Sequence, residues 1–252
     1  MCLSIDSVEL KSSGPRPVHM AGEWLTEAAA AYNSESIESK DVYPAHVLMP
    51  VDVLSSILEW TFQSLPDEIL VGMDADTSLP HPDHVEDSLR GSDFEDGLFS
   101  GQGYVLGNPH LVNRGDSFSV HHVPEEWMDG LFDDSRGVRG GRFSFWLHTH
   151  PNAPAIPSGA DAESAQWTEG CDMILGVRYS PEGILPWLDG VEGERRELAP
   201  ADDERPVLGR AVTGHLIHGL ELIAFHRRGF GINVLLTDSD GIPIGWDLVE
   251  TQ

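Results

Sequence analysis

The sequence predicts an α/β or α+β fold in which helices flank a mixed β-sheet. Short apolar segments of strand length alternate along the chain with segments of helical periodicity, and we find no internal repeat. The chain has 252 residues, of which 40% are hydrophobic, so it can bury a sizeable core and is not wholly disordered.

The first 40 residues are expected to form an N-terminal extension that carries one helix around residues 24–32. A strand follows at residues 45–49, and Pro50 then opens a helix whose apolar residues recur at spacings of three and four. Glu68–Met73 is mostly apolar and is predicted to be a buried strand.

An acidic segment interrupts this pattern at residues 74–100. It contains eight Asp or Glu residues and a single basic residue, Arg90. We expect a solvated loop or insertion that is mobile unless a partner orders it, because such a composition buries too little apolar surface to offset the entropy of ordering. The alternative interpretation is an insertion that grips a binding partner near the functional site.

The second half of the chain is predicted from the same patterns. Strands are expected at residues 104–106, 117–122, 142–148, 172–179 and 184–188, and helices at residues 124–132 and 161–167. A linker rich in Glu, Asp and Pro precedes the last elements, which are a helix at residues 214–226 and a β-hairpin of residues 231–236 and 244–249, turned at Asp238–Gly241.

These elements divide the chain into three parts. We assign residues 1–40 to the N-terminal extension and residues 41–190 to a core that carries the acidic insertion at about residues 74–100. Residues 191–252 are assigned to a C-terminal linker plus helix and β-hairpin, which could complete the same domain as the core.

The charge balance restricts the classes of partner. Asp and Glu total 42 against 15 Lys and Arg, the formal net charge is −27, and Lys occurs only at positions 11 and 40. This usage resembles that of proteins from salt-accumulating halophilic archaea, where salt screens the self-repulsion of the chain. It disfavours nucleic acid and anionic membranes as partners, because binding to phosphate groups requires clustered Lys and Arg.

Neither a membrane anchor nor a disulfide framework is predicted. No apolar stretch approaches the roughly 18–20 residues of a membrane-spanning helix, and the first residues do not read as a secretory signal. We therefore expect a cytoplasmic protein. Of the two cysteines, Cys2 and Cys171, the second is expected to be a small buried hydrophobic residue rather than a nucleophile.

The most informative segment runs from His148 to Asp161. His148 and His150 end a mostly apolar strand, and because side chains alternate along a strand, both imidazoles point to the same face. Three prolines stiffen the following loop, Ser158 begins a helix, and Asp161 lies one turn into it. Two imidazoles and one carboxylate suit Zn²⁺ and leave a fourth tetrahedral position for water.

The spacing of these residues resembles a known family signature. His-x-His-Pro, six further residues and Ser-x-x-Asp is the pattern of the JAMM or MPN+ (Mov34/MPN/PAD-1-like) zinc metallopeptidases, and the resemblance covers roughly residues 42–188. It implies an MPN-type mixed β-sheet flanked by helices, with a cytidine-deaminase-like core. It also implies Zn²⁺ bound by His148, His150 and Asp161.

The same resemblance implies the catalytic residues. Family members carry a Glu at the start of a strand after a long helix, and Glu68, within Pro66-Asp67-Glu68, is the matching residue. Glu59 on the preceding helix is the alternative. Glu68 is expected to accept a proton from the attacking water and to deliver it to the leaving amine. Ser158 is expected to donate a hydrogen bond to the developing oxyanion.

The implied reaction is hydrolysis of a peptide bond or a Lys isopeptide bond. Family substrates are ubiquitin or ubiquitin-like modifiers, which in an archaeon would be small modifier proteins that double as sulfur carriers. Removal of a modifier from its target and trimming of a carrier precursor both stay open, and the sequence indicates no oligomeric state.

Other interpretations compete with this one. The chain could be a non-catalytic MPN-type scaffold or binding module, or it could belong to the RadC-type branch, whose His-x-His-Pro run is similar. Three further pairs of histidines are expected to be surface or core residues rather than metal ligands; they are His81 with His84, His121 with His122, and His215 with His218.

Overall fold

The structure is a computed structural model that describes residues 21–80, 82–91, 104–115, 143–184 and 205–246. These residues form nine strands: β1 (His46–Pro50), β2 (Ile69–Met73), β3 (Tyr104–Val105), β4 (His110–Arg114), β5 (Phe145–Pro151), β6 (Asp172–Pro181), β7 (Gly209–Arg210), β8 (His215–Phe225) and β9 (Gly231–Thr237). They also form four α-helices, α1 (Ala21–Glu38), α2 (Val51–Ser64), α3 (Asp83–Leu89) and α4 (Gly159–Ser164), and two short 3₁₀ helices, Lys40–Val42 and Ala165–Trp167.

All of these strands belong to one mixed sheet. Its order is β3-β1-β9-β8-β6-β5-β2-β4, and β7 pairs with β8 outside this path. Strand β1 runs parallel to β3 and β9, β5 runs parallel to β6, and the remaining pairs are antiparallel. The mixed sheet flanked by helices that the sequence predicts is therefore confirmed.

One face of the sheet forms the main core with α1 and α2. Helix α2 begins directly after Pro50, as predicted, and buries apolar side chains spaced three and four residues apart, namely Val53, Leu54, Ile57, Leu58 and Phe62. They share a cluster with Val71 of β2, Leu147 of β5 and Leu175 of β6. Because strand residues alternate between faces, the residues next to these three project from the opposite face.

The helix predicted around residues 24–32 is confirmed as α1, but it is part of the core. Leu25, Ala29 and Tyr32 are buried in the main cluster. Asn33 is fully buried and donates from Nδ2 to the carbonyls of Leu236 and Ile244 at 2.6 and 2.9 Å. The boundary expected at residue 40 therefore does not coincide with a break in packing, and residues 1–20 lie outside the described part of the chain.

Part of the acidic segment forms helix α3 at residues 83–89, so the expectation of a solvated loop is wrong there. Val85 and Leu89 of α3 are buried in a second cluster with Leu48, Leu235 and Trp246. Helical spacing of four places these two apolar residues on one face, which supplies enough burial to anchor an otherwise acidic helix. Residues 92–100 lie outside the described ranges.

The C-terminal region corrects one prediction and confirms the turn of another. Residues 215–225 form the long strand β8 instead of the expected helix, and β8 pairs along its length with β6. The turn at Asp238–Gly241 is present: Asp238 Oδ1 accepts from two following backbone amides, and Thr237 and Pro243 form an antiparallel bridge across it. Strand β9 also pairs with β1 and β8, whereas residues 244–245 form a turn, and residues 247–249 of the expected second strand lie outside the described residues.

Several predicted elements fall on residues that the structure does not describe. These are the strands at residues 117–122 and 184–188, apart from residue 184, and the helix at residues 124–132. Among the described helices, none is long and apolar enough to cross a membrane.

Candidate metal centre

Strand β5 presents His148 and His150 on the sheet face opposite the main core. Leu147 and Thr149, which alternate with them, are fully buried on the core side. The side chains of His148 and His150 are 12% and 13% exposed. The alternation expected from the His-x-His spacing is therefore confirmed, and both imidazoles project from one strand toward the same region.

The proline loop and α4 bring a carboxylate back to these imidazoles. Ser158 is the N-cap of α4, and its Oγ accepts from the backbone amide of Asp161 at 3.2 Å. In return, Asp161 Oδ2 accepts from the backbone amide of Ser158 at 2.6 Å. This reciprocal capping box fixes the Asp161 side chain at the start of the helix.

The three predicted ligands converge. Nε2 of His148 lies 3.0 Å from Nε2 of His150 and 3.2 Å from Oδ1 of Asp161, and Nε2 of His150 lies 3.8 Å from Oδ2 of Asp161. Zinc bonds of about 2.0–2.1 Å at tetrahedral angles place neighbouring ligand atoms about 3.3 Å apart. The observed distances bracket that value. Within the described ranges, these three residues are the one group of three or more His, Cys, Asp or Glu side chains that could hold a metal ion.

The tautomer of His150 also suits metal binding. Its Nδ1 lies 2.9 Å from the carbonyl oxygen of Pro154. Because a carbonyl can only accept, Nδ1 carries the proton and Nε2 keeps its lone pair for an ion. A backbone partner of this kind is the usual support of a histidine that ligates a metal.

The electrostatics keep both groups in the forms that an ion requires. Burial lowers the pKa of His150, so the imidazole is neutral at neutral pH. Burial by itself raises the pKa of Asp161, but the hydrogen bonds from His148 and from the Ser158 amide outweigh it and hold that pKa below its usual range. Neutral imidazoles and an ionised carboxylate are the states that bind divalent cations.

Glu68 lies beside this group on the neighbouring strand. It directly precedes β2 and is 7% exposed. Leu70 pairs with His148 across the antiparallel β2–β5 ladder, so the same register continued by two residues places Glu68 opposite His150 on the histidine face. The group of three candidate ligands does not include Glu68.

The alternative base, Glu59, is placed elsewhere. It is exposed on α2, the helix that packs on the opposite face of the sheet, and its Oε1 accepts from Gln63 Nε2 at 3.2 Å. Of the two glutamates that the sequence offers, only Glu68 shares a face with the histidines.

Sequence reasoning missed a second acidic residue on the histidine face. Asp172 begins β6, pairs with Trp146 and is 5% exposed. Its Oδ2 has no hydrogen-bond partner among the described residues. Burial raises the pKa of Asp172 to about 6, against a hydrogen bond from Thr168 and the charge of His148, which lower it. Its position before an apolar run was visible in the sequence, but its orientation depends on the β5–β6 register.

The other residues considered from sequence have structural roles where they are described. Nε2 of His218 pairs with Ser180 Oγ at 2.6 Å, and Nδ1 of His215 pairs with Thr213 Oγ1 at 2.7 Å, so both are core histidines. Cys171 is fully buried, and burial raises its thiol pKa, which confirms the prediction of a small hydrophobic residue. His84 is exposed on α3, as predicted for a surface histidine, and His81, His121 and His122 lie outside the described residues.

Comparisons with known proteins do not assign a family. The sequence matches no protein-family model and has no significant match among curated proteins. A structural comparison matches the chain to the solution structure of protein DSY2949 from Desulfitobacterium hafniense, with 13% identity over 76% of this chain and 93% of that one, and a TM-score of 0.36. A protein from Salinibacter ruber is similar at 18% identity over 64% of this chain and 95% of that one, with a TM-score of 0.29.

Proposed function

We propose that the chain is a JAMM-type zinc metallopeptidase or isopeptidase. The observation that carries the proposal is the convergence of His148, His150 and Asp161, whose ligand atoms all lie within 4.8 Å of one another. The side chains are the ones that the His-x-His-Pro…Ser-x-x-Asp pattern nominates, and their mutual distances fit a tetrahedral ion with one open position. The donor set of two imidazoles and one carboxylate favours zinc.

Each residue at the centre has a chemical task in such a reaction. A Zn²⁺ ion held by these three side chains would supply Lewis acidity, which lowers the pKa of a water from about 15.7 toward about 7. Glu68, on the histidine face, would accept a proton from the attacking water and deliver it to the leaving amine. Ser158, at the N-terminus of α4, offers a hydroxyl to the oxyanion that forms on the scissile carbonyl.

The surroundings of the centre favour a protein as substrate. Ile156, in the proline loop, and Trp167, at the end of the helical segment that follows Ser158, are 65% and 87% exposed. Large exposed apolar side chains on the elements that carry the ligands are suited to contacts with another protein. From these side chains together with the resemblance of the ligand spacing to the JAMM pattern, we propose a ubiquitin-like modifier, joined by a peptide or isopeptide bond, as the substrate class.

The test is cleavage of a modifier conjugate by the purified protein at high salt. We expect cleavage by the wild type, loss of cleavage with a zinc chelator, and recovery on addition of Zn²⁺. Glu68→Gln should lower the rate at least about 10²-fold because it removes the base. Glu59→Gln, on the far side of the sheet, is the matched control and should retain full activity.

Two results would count against the proposal. Equal activity of wild type and Glu68→Gln would remove Glu68 from the mechanism. A wild type that binds the conjugate but never cleaves it, with or without added Zn²⁺, would favour the non-catalytic scaffold.

A further inference from the structure

Three residues lie in a row across the centre of the histidine face. In the parallel β5–β6 ladder His150 pairs with Gly176, and in the antiparallel β6–β8 ladder Gly176 pairs with Glu221. Paired residues on neighbouring strands point to the same face, with strands about 4.8 Å apart. The Cα atoms of His150 and Glu221 are therefore roughly 10 Å apart. Gly176, which lies between them, has no side chain.

The proline loop occupies the space that Gly176 leaves. A Cβ atom at Gly176 would lie 3.1 Å from the amide nitrogen of Ala155 and 3.2 Å from the carbonyl oxygen of Ala153. The loop backbone is thus in close contact with the strand at this point. Asn152 fixes the beginning of the loop, since its Oδ1 accepts from the Tyr179 amide at 2.8 Å and its own amide donates to the Val177 carbonyl.

A single peptide group of this loop joins the two ends of the row. The carbonyl of Pro154 accepts from His150 Nδ1 at 2.9 Å, and the amide of Ala155, which belongs to the same peptide unit, donates to Glu221 Oε2 at 3.1 Å. A carboxylate that accepts from a peptide N–H polarises that peptide and makes its carbonyl a stronger acceptor. The chain of contacts runs from Glu221 through one peptide to the predicted zinc ligand.

We propose that Glu221 is a positioning residue for the metal centre, acting on His150 through the Pro154–Ala155 peptide; this rests on the proposed zinc site. By holding and polarising the peptide, Glu221 fixes the tautomer of His150 in which Nδ1 carries the proton and Nε2 faces the ion. The arrangement extends the usual carboxylate–histidine–metal support by one peptide group.

The test uses two measurements on the full-length protein. Zn²⁺ affinity is measured by competition with a chelator, and the tautomer of His150 is read in metal-free protein from long-range ¹H–¹⁵N correlations of labelled histidines. The variants are Glu221→Ala, Glu221→Asp, whose carboxylate is withdrawn by one methylene, and Glu221→Gln, which keeps an acceptor at the same place. Glu182→Ala, which removes an exposed carboxylate paired with Arg210, is the control.

We expect Glu221→Ala and Glu221→Asp to weaken Zn²⁺ binding about 10- to 100-fold and to populate the Nε2–H tautomer of His150. Glu221→Gln and Glu182→Ala should stay within about threefold of wild type and keep its tautomer. The Asp and Gln variants keep a polar side chain of similar size, so the comparison survives if the Ala variant fails to fold.

The outcomes separate this inference from the proposed function. An unchanged tautomer in Glu221→Ala or Glu221→Asp overturns the inference, even if Zn²⁺ affinity falls, because Glu221 would then only brace the loop. A wild type that binds no Zn²⁺ overturns the proposed function, and the role of Glu221 at a metal centre with it. If wild type binds Zn²⁺ and every variant binds it with the same affinity, the inference about Glu221 is overturned and the proposed function is not.

Discussion

At the scale of single residues, Asp161 illustrates how local structure positions the side chain of a candidate metal ligand. One oxygen of its carboxylate closes the capping box with Ser158, and the other faces His148 at 3.2 Å. The cap removes rotamer freedom from the side chain before any ion arrives, so little entropy remains to be lost on binding. The sequence reveals this because a capping box is a local pattern.

Ser158 can be tested for two separable roles. Ser158→Ala removes both the cap and the proposed hydrogen bond to the oxyanion, and should cost about 0.5–2 kcal/mol of stability and about 10²- to 10³-fold in rate. Ser158→Gly is a better cap than Ala and should cost only a few tenths of a kcal/mol, yet lose the same rate. Urea unfolding and conjugate cleavage measure the two effects. Full activity of Ser158→Gly would leave Ser158 with the capping role alone.

Asp172 should make the metal-free protein less stable as the pH rises. Burial raises its pKa from 3.8 to about 6, so between these values the folded state holds more protons than the unfolded state. The contribution of the protonated carboxyl to stability is full below about pH 4 and is lost as pH rises through about 6. The charge of His148 lowers the pKa of Asp172, and the charge of Asp161 raises it.

Asp172→Asn removes this pH dependence. The stability of the variant relative to wild type should increase by up to about 3 kcal/mol between pH 4 and pH 7, as a shift of about two pKa units implies. Urea unfolding of both proteins in the presence of a chelator measures the difference at each pH. A constant difference across this range would show that Asp172 ionises freely in the folded protein.

At the scale of elements, the sequence predicted local patterns well and long-range pairings poorly. Helix α2 and strands β1, β2 and β5 were identified because their periodicity and the neighbouring prolines are local signals. Strand β8 was mistaken for a helix because an almost continuous apolar run satisfies both periodicities, and its ten-residue pairing with β6 cannot be seen in the sequence. The row that includes Glu221 was missed for the same reason.

Helix α1 provides a test of its place in the core. The buried side chain of Asn33 makes three hydrogen bonds, two from Nδ2 and one accepted by Oδ1 from the Leu236 amide at 2.8 Å. Asn33→Ala removes all three bonds and should destabilise the protein by about 2–3 kcal/mol. Ser34→Ala, an exposed neighbour on the same helix, should change stability by less than about 0.5 kcal/mol. Equal unfolding midpoints for the two variants would mean that α1 is not part of the cooperative unit.

At the scale of the whole molecule, the net charge of −27 should make stability depend on salt. Screening of repulsion among 42 acidic residues favours the compact state, so the melting temperature should rise with KCl between about 0.1 and 2 M. A gain of about 1 kcal/mol corresponds to roughly 2–4 °C for a chain of this length. Scanning calorimetry in KCl measures it, and a melting temperature that is constant or falls would contradict the expected repulsion.

The placement of the candidate centre also belongs to this scale. The two helices that complete the main core cover one face of the sheet, and His148, His150 and Glu68 all project from the other. The alternation of side chains in β5 was enough to predict that the two histidines share a face. That Glu68 joins them depends on the antiparallel pairing of β2 with β5, which the sequence suggested only through the resemblance to the JAMM pattern.

The most direct test of the central claim is the zinc content of the protein and its variants at high salt. After saturation with Zn²⁺ and removal of the excess, elemental analysis should find one zinc per wild-type chain and none in His148→Gln or Asp161→Asn. Glu59→Gln, whose side chain lies on α2, should keep one zinc per chain. Wild-type protein without zinc, or variants that retain it, would contradict a metal centre formed by His148, His150 and Asp161.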